Sequence, residues 1–580
     1  MRRTWKQTMD ETAQFSAITK VDRRLVQRFR EMAWDVVAIS SILLAGFANF
    51  IMYRGYDPLR LEVLLVCALV AALAMVVTAI ISLRPNSLRA IVFTILVASF
   101  LFLETSFTLP QWLVALAGPE FLNPLRAVAY ILPLLMVFFL LRDKLSVILG
   151  VAFGAMTLAS FVMPHLPPDA VTVVERDVPP AALVGEKPPP LLHLIVDQQI
   201  GIDGLPPEVE GTPQLRQALL RFYRDHGFRL YPGAFTHFPA TIESIPDLMN
   251  GAVVPSARAF LASRDDKAFL KTNAWFDELK RRGYEIEVVQ TDYLDYCGGD
   301  DIPISYCATL IASDIRDIAE THLSTVDKAT LLLYTYFDED LSLLARMVRL
   351  AWYGLQKGAA KIGVSLPDWN RRSLTLSPIP GVAAIDLVTS RAAEIERGKA
   401  IFAHILLPHD PYIFDRDCRL KTDFQTWRPH ESALWWHRVK SDPQRRLARY
   451  EEYYKQVLCL HKKLGTLLDV LAERGVLDEA TIIVHGDHGS RISLIEPISG
   501  NEDLIVPRDV VDSVSALYAV RSPNIIPDVV EGQQSIQALF AAFALGKTNI
   551  QDNKDFYLKD PKTIVGPQQT RLPLVPFGDD

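Results

Sequence analysis

The chain of 580 residues has a formal net charge of −7, with 50% hydrophobic and 22% charged residues. A net acidic chain, whose few basic clusters sit near its N-terminus and at the ends of apolar segments, argues against nucleic-acid binding, and its length is enough for several domains. The averages conceal two unlike parts: residues 33–163 hold few charges and long apolar runs, whereas from Glu186 onward charges return at the density of a soluble domain.

Residues 1–32 form a polar, basic tail with Arg2, Arg3, Lys6, Lys20, Arg23, Arg24, Arg28 and Arg30. A cleaved signal peptide would bring its apolar run earlier and end it at small residues, so the first apolar segment is expected to be retained. Five segments, 33–53, 61–83, 90–109, 125–141 and 145–163, are long and apolar enough to span the roughly 30 Å hydrocarbon core of a bilayer. Buried helices of a soluble domain would show a polar stripe at helical spacing, which these lack. Lys and Arg near the span ends set the orientation. The tail is rich in them, Arg84 and Arg89 flank the second connection, Arg142 and Lys144 lie in the fourth, and the third, 110–124, has neither. Arg54 and Arg60 in the first connection run against this trend. The pattern places the tail in the cytoplasm, and five spans then carry the rest of the chain across. The expectation is a multi-pass protein of the inner (cytoplasmic) membrane whose large domain faces the periplasm or exterior.

Residues 164–190, rich in proline and acidic residues and ending in Pro188-Pro189-Pro190, read as an extended linker. No Asn-x-Ser/Thr sequon occurs, which favours a bacterial envelope over the secretory pathway. Of five cysteines, Cys67 lies in a span, Cys297 and Cys307 bracket a Gly/Asp/Pro loop, and Cys418 and Cys459 flank a polar stretch. The last four are either two disulfides of an exported domain or buried thiols. No Cys-x-x-Cys pair is present, which argues against a zinc ribbon.

In residues 191–580, Leu191–Val196 and the runs 284–289, 400–407, 480–484 and 515–520 read as buried strands. Helical patterns alternate with them. The longest, 444–474, sets Leu447, Tyr454, Val457, Leu464, Leu467, Leu468 and Leu471 at helical spacing. The expected fold is therefore an α-helical transmembrane domain followed by an α/β domain with a mostly parallel sheet sandwiched by helices. Such sheets bind ligands beyond the carboxyl ends of their strands. There, Asp197 follows the first strand, Pro408-His409-Asp410 the third, and His485-Gly486-Asp487-His488-Gly489 the fourth. Carboxylates and imidazoles converging on one sheet edge suit a divalent cation, zinc above all, and the alternative is a turn with a capping aspartate. The stretch 323–355 reads either as an amphipathic helix at the membrane surface or as a helical insertion packed on the domain.

Gly486-Asp487-His488-Gly489 after an apolar strand resembles the Ser/Gly-Asp-His-Gly motif of the alkaline phosphatase/sulfatase superfamily, in sulfatases and in membrane-anchored phosphoethanolamine and phosphoglycerol transferases. Thr241-Ile242-Glu243-Ser244-Ile245-Pro246 is similar to the Thr-x-x-Ser-x-Pro nucleophile motif of the transferases. His404 and His409, followed by Pro411 and Tyr412, resemble their His-x4-His-Gly-Pro segment, and Asp197 stands where they have a strand-terminal acidic ligand. The order of the motifs and the five-span anchor match as well.

The resemblance implies an alkaline phosphatase-like fold. It implies a divalent metal held by Asp197, Asp487 and His488 with Thr241 as the fourth contact, zinc foremost and manganese, magnesium or calcium as alternatives. Thr241 would be the nucleophile, and His404 and His409 would bind phosphate oxygens or protonate the leaving group. A threonine hydroxyl is a weak nucleophile until it loses its proton, which a bound metal favours, and a helix N-terminus suits the anion formed there. The competing reading makes Thr241 the cap of a helix over 242–249, with Ser244 and Thr236 as fallback nucleophiles. Three departures stand out. No Cys/Ser-x-Pro-x-Arg motif surrounds Thr241, which disfavours sulfate-ester hydrolysis. Gln198 stands where many sulfatases have a second Asp, which favours one metal. Ser490-Arg491 follows the metal motif where the transferases usually carry Glu. The expected activity is metal-dependent transfer of a phosphoethanolamine- or phosphoglycerol-type group from a membrane phospholipid, through a phospho-threonine, to an envelope lipid or glycan. A phosphoester hydrolase and a non-catalytic sulfatase-like sensor or lipid-binding protein are the alternatives.

Overall fold

Apolar runs without a polar stripe can satisfy their backbone amides only within the segment, and the described part of each of the five apolar segments is helical. These are α1 (Arg2–Tyr53), α2 (Leu61–Ser82), α3 (Asn86–Glu104), α4 (Leu122–Leu141) and α5 (Leu145–Val162). The computed structural model describes residues 2–82, 86–104, 122–141, 144–162, 169–176, 186–252, 259–264, 267–299, 303–312, 314–339, 354–355, 358–359, 376–423, 427, 443–548, 552, 554–558, 571–574 and 577. The chain divides into two compact units, residues 1–168 with 324–373, and residues 169–323 with 374–580.

In the first unit α1 continues through the basic tail without a break. Ile39 and Ile42 of α1, Ala74 of α2, Phe93 of α3, Phe138 of α4 and Leu149 of α5 are buried in one core. Leu69, Leu73, Met75, Val76 and Ile80 of α2 each leave more than half of their surface open, as the apolar face of a membrane anchor does. Among the described residues, Val26–Tyr53 and Leu61–Ser82 are long and apolar enough to cross a bilayer, and Leu88–Val97, Leu132–Leu141 and Leu145–Phe161 are shorter apolar helices. One polar knot ties three helices: Asp35 of α1 accepts from Arg89 of α3 (Nε at 2.8 Å, Nη2 at 2.6 Å) and from the Ser146 hydroxyl of α5. Of the stretch 323–355, the helix Thr325–Glu339 belongs to this first unit. Its Tyr336 ring meets Phe47 edge-on at 5.6 Å and Phe50 at 5.4 Å. Residues 340–353 lie outside the described residues.

The second unit is built on a nine-stranded mixed sheet. In chain order its strands are β1 (Val171–Glu175), β2 (Leu191–Val196), β3 (Arg229–Leu230), β6 (Glu285–Thr291), β7 (Ile304–Leu310), β8 (Lys399–Ile405), β9 (Thr481–Gly486), β10 (Tyr518–Arg521) and β11 (Asp528–Val529); β4 (Leu261–Arg264) and β5 (Lys267–Leu270) form a separate hairpin. The spatial order is β1-β7-β6-β8-β2-β9-β10-β3-β11. The five strands β7, β6, β8, β2 and β9 are mutually parallel, and antiparallel pairs occur only toward the margins. Within the proline-rich stretch, β1 adds an exposed edge strand to β7.

Every residue of β2 is buried, because both sheet faces are covered. On one face Ile195, Val288 and Phe402 pack with residues of the helices Thr241–Met249, Ala274–Arg281 and Ile536–Phe543, among them Leu248, Phe276 and Phe540. The long helix Pro443–Glu473 buries Tyr454, Val457, Leu464, Leu467, Leu468 and Leu471, as their spacing in the sequence suggests, leaves Leu447 half-buried, and buries Tyr450 and Tyr453 as well. Cys297–Cys307 and Cys418–Cys459 are disulfides, and Cys67 is free.

The long helix also carries a buried neutral histidine. His461 Nδ1 donates to the Val457 carbonyl at 2.9 Å, and Nε2 accepts from the Tyr223 hydroxyl at 3.1 Å, so both ring nitrogens are used without a charge. Burial lowers its pKa to about 4, against a smaller upward pull from the Val457 carbonyl. Between the unfolded value near 6.5 and the folded value near 4, the unfolded chain binds the extra proton. The stability from neutral His461 is therefore complete above about pH 6.5, falls as the pH drops toward about 4, and amounts to roughly 3 kcal/mol. The melting temperature of the detergent-solubilised protein should fall between pH 7.5 and pH 5, and His461→Gln should shrink that fall. Equal melting temperatures at both pH values would remove this account.

Candidate active site

The parallel pairing decides where the chemistry gathers. β2 lies between β8 and β9, with Val196 level with Ile405 and Gly486, so three neighbouring strands end together. Asp197 follows β2, His404 is the penultimate residue of β8, and Asp487 and His488 follow β9. All four are buried to 1% exposure or less.

Asp197, Asp487 and His488 each offer a ligand atom within 4.8 Å of the others. His488 Nε2 stands 3.2 Å from Asp487 Oδ2 and 3.7 Å from Asp197 Oδ1. Asp487 is held firmly. Its Oδ1 accepts the backbone amides of Gln198 (3.0 Å) and His488 (2.9 Å), and its Oδ2 accepts the Thr241 hydroxyl at 2.6 Å. Gln198 makes its bond from a left-handed backbone, φ 65°, which a residue with a side chain adopts only when its surroundings impose it.

His488 Nδ1 donates to the Gly489 carbonyl at 2.9 Å, which leaves Nε2 as the nitrogen turned to the carboxylates. Burial lowers its pKa although Asp487 and Asp197 pull it up, so the ring is neutral, as a metal ligand must be. Burial pushes the Asp197 carboxyl up, and the imidazoles of His409, His404 and His488 pull it down.

Two carboxylates and a neutral imidazole at such depth are a cation-binding set. Asp197 Oδ1 is buried with no hydrogen-bond partner among the described residues. Like charges this close, out of water, need a counter-charge. A divalent metal fits these residues, and the mixed oxygen and nitrogen donors suit zinc.

Thr241 is the first residue of the helix Thr241–Met249, and the cap is Ala240. The Ala240 carbonyl accepts the amides of Glu243 (3.2 Å) and Ser244 (3.0 Å), and no side chain caps this end. The Thr241 hydroxyl is thus not spent on capping. It faces Asp487 Oδ2 at 2.6 Å and His488 Nε2 at 3.4 Å. Ser244 and Thr236 sit behind Asp487. Ser244 donates to the Asp487 carbonyl at 2.7 Å, Thr236 lies 2.8 Å from Ser244, and Gln537 Nε2 donates to Thr236 at 3.0 Å. This buried chain holds the Asp487 backbone.

The two other sequence candidates differ from each other. His404 Nε2 lies 3.4 Å from Asp197 Oδ2, and neither ring nitrogen has a hydrogen bond among the described residues. His409 lies in the loop after β8, its side chain 24% exposed. Its Nδ1 donates to the Asp410 carbonyl and lies 3.2 Å from the Ser377 hydroxyl, which places a proton on Nδ1.

The glycines of the metal motif serve close approach. A Cβ on Gly486 would lie 2.3 Å from the Gln199 carbonyl oxygen, and one on Gly489 2.4 Å from that of Asp512. Neither has a positive φ, so it is the close approach, not a left-handed backbone, that requires glycine at both positions. Sequence reading missed Asp512, Arg446 and Tyr450, which anchor the loop after His488. Their signal is a periodicity defect, charged and hydroxyl-bearing residues on the buried side of helices.

Neither a protein-family model nor a curated protein matches the chain by sequence. Some solved structures bear a distant likeness to it. The C-terminal periplasmic domain of EptC from Escherichia coli, solved also with Zn, is 12% identical with a TM-score of 0.38, over 71% of this chain and 98% of that one. A phosphonate monoester hydrolase of Agrobacterium radiobacter is 13% identical with a TM-score of 0.34, over 64% of this chain and 81% of that one. A sulfatase from the glycosaminoglycan metabolism of Bacteroides thetaiotaomicron is 14% identical with a TM-score of 0.35, over 62% of this chain and 72% of that one. At such identities and scores the chemistry rests on this chain's own residues.

Proposed function

We propose that this protein is a membrane-anchored, metal-dependent phosphoryl-group transferase that moves a phosphoethanolamine- or phosphoglycerol-type group from a phospholipid to an envelope lipid or glycan. The observation that carries the reading is the Thr241 hydroxyl, free of any capping duty, 2.6 Å from Asp487 Oδ2 at the start of a helix and beside a cation-binding cluster. A divalent metal held by Asp197, Asp487 and His488 would supply positive charge for the phosphate oxygens and lower the pKa of the Thr241 hydroxyl. The chain's own residues do the rest. As the Thr241 Oγ1–phosphorus bond forms and the phosphorus–lipid oxygen bond breaks, the hydroxyl proton has Asp487 Oδ2 as its acceptor. The departing diacylglycerol oxygen takes a proton from protonated His409. In the second half the acceptor hydroxyl gives its proton to His409 and attacks phosphorus, and Thr241 recovers its own from Asp487. His404, fully buried against Asp197, orients that carboxylate rather than meeting the leaving group.

An anchor suits a lipid donor, because tethering raises the donor's effective concentration. The five helices, the basic tail and two disulfides, which persist in oxidising compartments, support a multi-pass inner-membrane protein with the α/β domain outside the cytoplasm. Mass spectrometry of expressing cells tests this. The peptide containing Thr241 should carry the transferred group, an envelope lipid or glycan should gain the same mass, and both disulfides should be recovered intact. Free diacylglycerol with no acceptor adduct would make the protein a hydrolase, and reduced thiols would place the domain in the cytoplasm.

A further inference from the structure

β6 ends at Thr291 and β9 at Gly486, parallel members of one sheet, so the loops that follow bring Tyr293 and Arg491 to the sheet edge where Asp197, Asp487 and His488 stand. Arg491 holds a left-handed backbone, φ 56°. The loop around it is pinned. The Gly489 amide donates to the Ser513 carbonyl at 2.9 Å and the Arg491 amide to the Asp512 carbonyl at 2.8 Å, while Ser490 meets the Tyr450 hydroxyl at 2.8 Å. A strained backbone held by its neighbours at such an edge points to a side chain that has to be aimed.

The guanidinium it aims is not used up by the fold. Arg491 leaves 31% of its side chain exposed, and the one carboxylate within ion-pair distance of it among the described residues, Glu496 Oε1, lies 3.9 Å away, beyond hydrogen-bond reach. Its charge acts on Asp197, Asp410 and Tyr293, and on His488. A structural ion pair would be closer, and a plain surface cation would not need a left-handed backbone pinned at the end of a strand that carries the metal ligands. An arginine presents a planar fork of N–H donors that matches two oxygens of a phosphate.

We infer that Arg491 binds an oxyanion of the substrate's phosphate at the rim of the site, with the Tyr293 hydroxyl beside it, and so sets which phosphate-bearing molecule is accepted. The inference rests on the phosphoryl-transfer reading of the same site and names a recognition residue within it. The phosphate belongs either to the donor lipid or to a phosphorylated acceptor.

The test is calorimetric titration of the full, zinc-loaded protein in detergent with inorganic phosphate, on wild type, Arg491→Gln and Arg491→Lys. Arg491→Gln should weaken phosphate binding roughly ten-fold or more with an unchanged zinc content, and Arg491→Lys, which keeps the charge and loses the fork, should fall between the two. In turnover, Arg491→Gln should raise KM while kcat stays within a few-fold of wild type. The rise falls on the donor lipid if the donor phosphate is the ligand, and on the acceptor if the acceptor's is. Equal phosphate affinity in wild type and both variants, or no phosphate binding by wild type, overturns the inference. An active Thr241→Ala protein would remove covalent transfer and leave the phosphate titration to judge Arg491 separately.

Discussion

Thr241→Ala leaves a folded protein with wild-type zinc content and no measurable turnover, whereas Asp487→Ala loses zinc and turnover together. The contrast follows from what each side chain touches. Thr241 contributes one hydroxyl, bonded to Asp487 Oδ2, and its helix is capped by the Ala240 backbone, so its loss costs a single charge-assisted bond, about 2 kcal/mol. Asp197, Asp487 and His488 all remain to hold a cation. Removing the covalent step should lower kcat by about a thousand-fold or more, with KM for the donor little changed. Asp487 instead organises the centre: two backbone amides and the Thr241 hydroxyl converge on it, and its loss leaves Asp197 and His488 too few to retain zinc. Thr241→Ser should keep part of the activity because it keeps the hydroxyl. Zinc content by elemental analysis and turnover by lipid mass spectrometry separate the two variants. A folded Thr241→Ala protein with near-wild-type turnover would sink the phospho-threonine route.

Legibility followed burial. β2 reads LLHLIV because it is covered on both faces, and the runs at β6, β8, β9 and β10 were visible for similar reasons, as was the 31-residue helix with its apolar stripe. β7, ISYCATL, was missed because half-buried Ser305, Tyr306 and Thr309 break up its apolar run and the disulfide at Cys307 replaces an aliphatic side chain. β1 was missed because proline and acidic residues surround an edge strand whose residues are all exposed.

At the site, Asp197, Asp487 and His488 were legible because each closes an apolar strand, so strand order alone brings them together. Thr241 was legible only through its motif, since a threonine at the start of a helix reads equally as a cap, and only the backbone shows Ala240 in that position. Sequence could not separate His404 from His409. One is fully buried against Asp197 and the other stands in a partly open loop, a difference made by which residue ends β8. The supporting residues of the metal loop come from helices far away in the chain, and no spacing rule links Arg446, Tyr450 or Asp512 to Gly489.

Those supports set the second large effect. Asp512 is fully buried and closes a knot of charges. Arg446 donates to its Oδ2 through Nε at 2.9 Å and Nη2 at 2.7 Å. Arg508 donates to Oδ1 through Nε at 2.9 Å and Nη2 at 2.7 Å, and the Tyr450 hydroxyl also donates to Oδ1. Its backbone carbonyl accepts the Arg491 amide at 2.8 Å and lies against Gly489. Asp512→Ala would leave Arg446 with Glu208 as its remaining carboxylate and Arg508 with the Gly204 carbonyl, two cations largely out of water and short of acceptors. Breaking a buried charge network from one side costs about 3–5 kcal/mol, so the melting temperature should fall by roughly 5 °C or more for a domain of this size. Asp512→Asn, which keeps the shape and loses the charge, should fall by less. Zinc should still bind at saturating concentration but with weaker affinity, since the ligands are intact and only the loop that aims His488 is loosened. Thermal melts of the detergent-solubilised protein with and without zinc read both effects. A melting temperature for Asp512→Ala indistinguishable from wild type would mean that the two arginines find other acceptors and that the metal loop stands without this anchor.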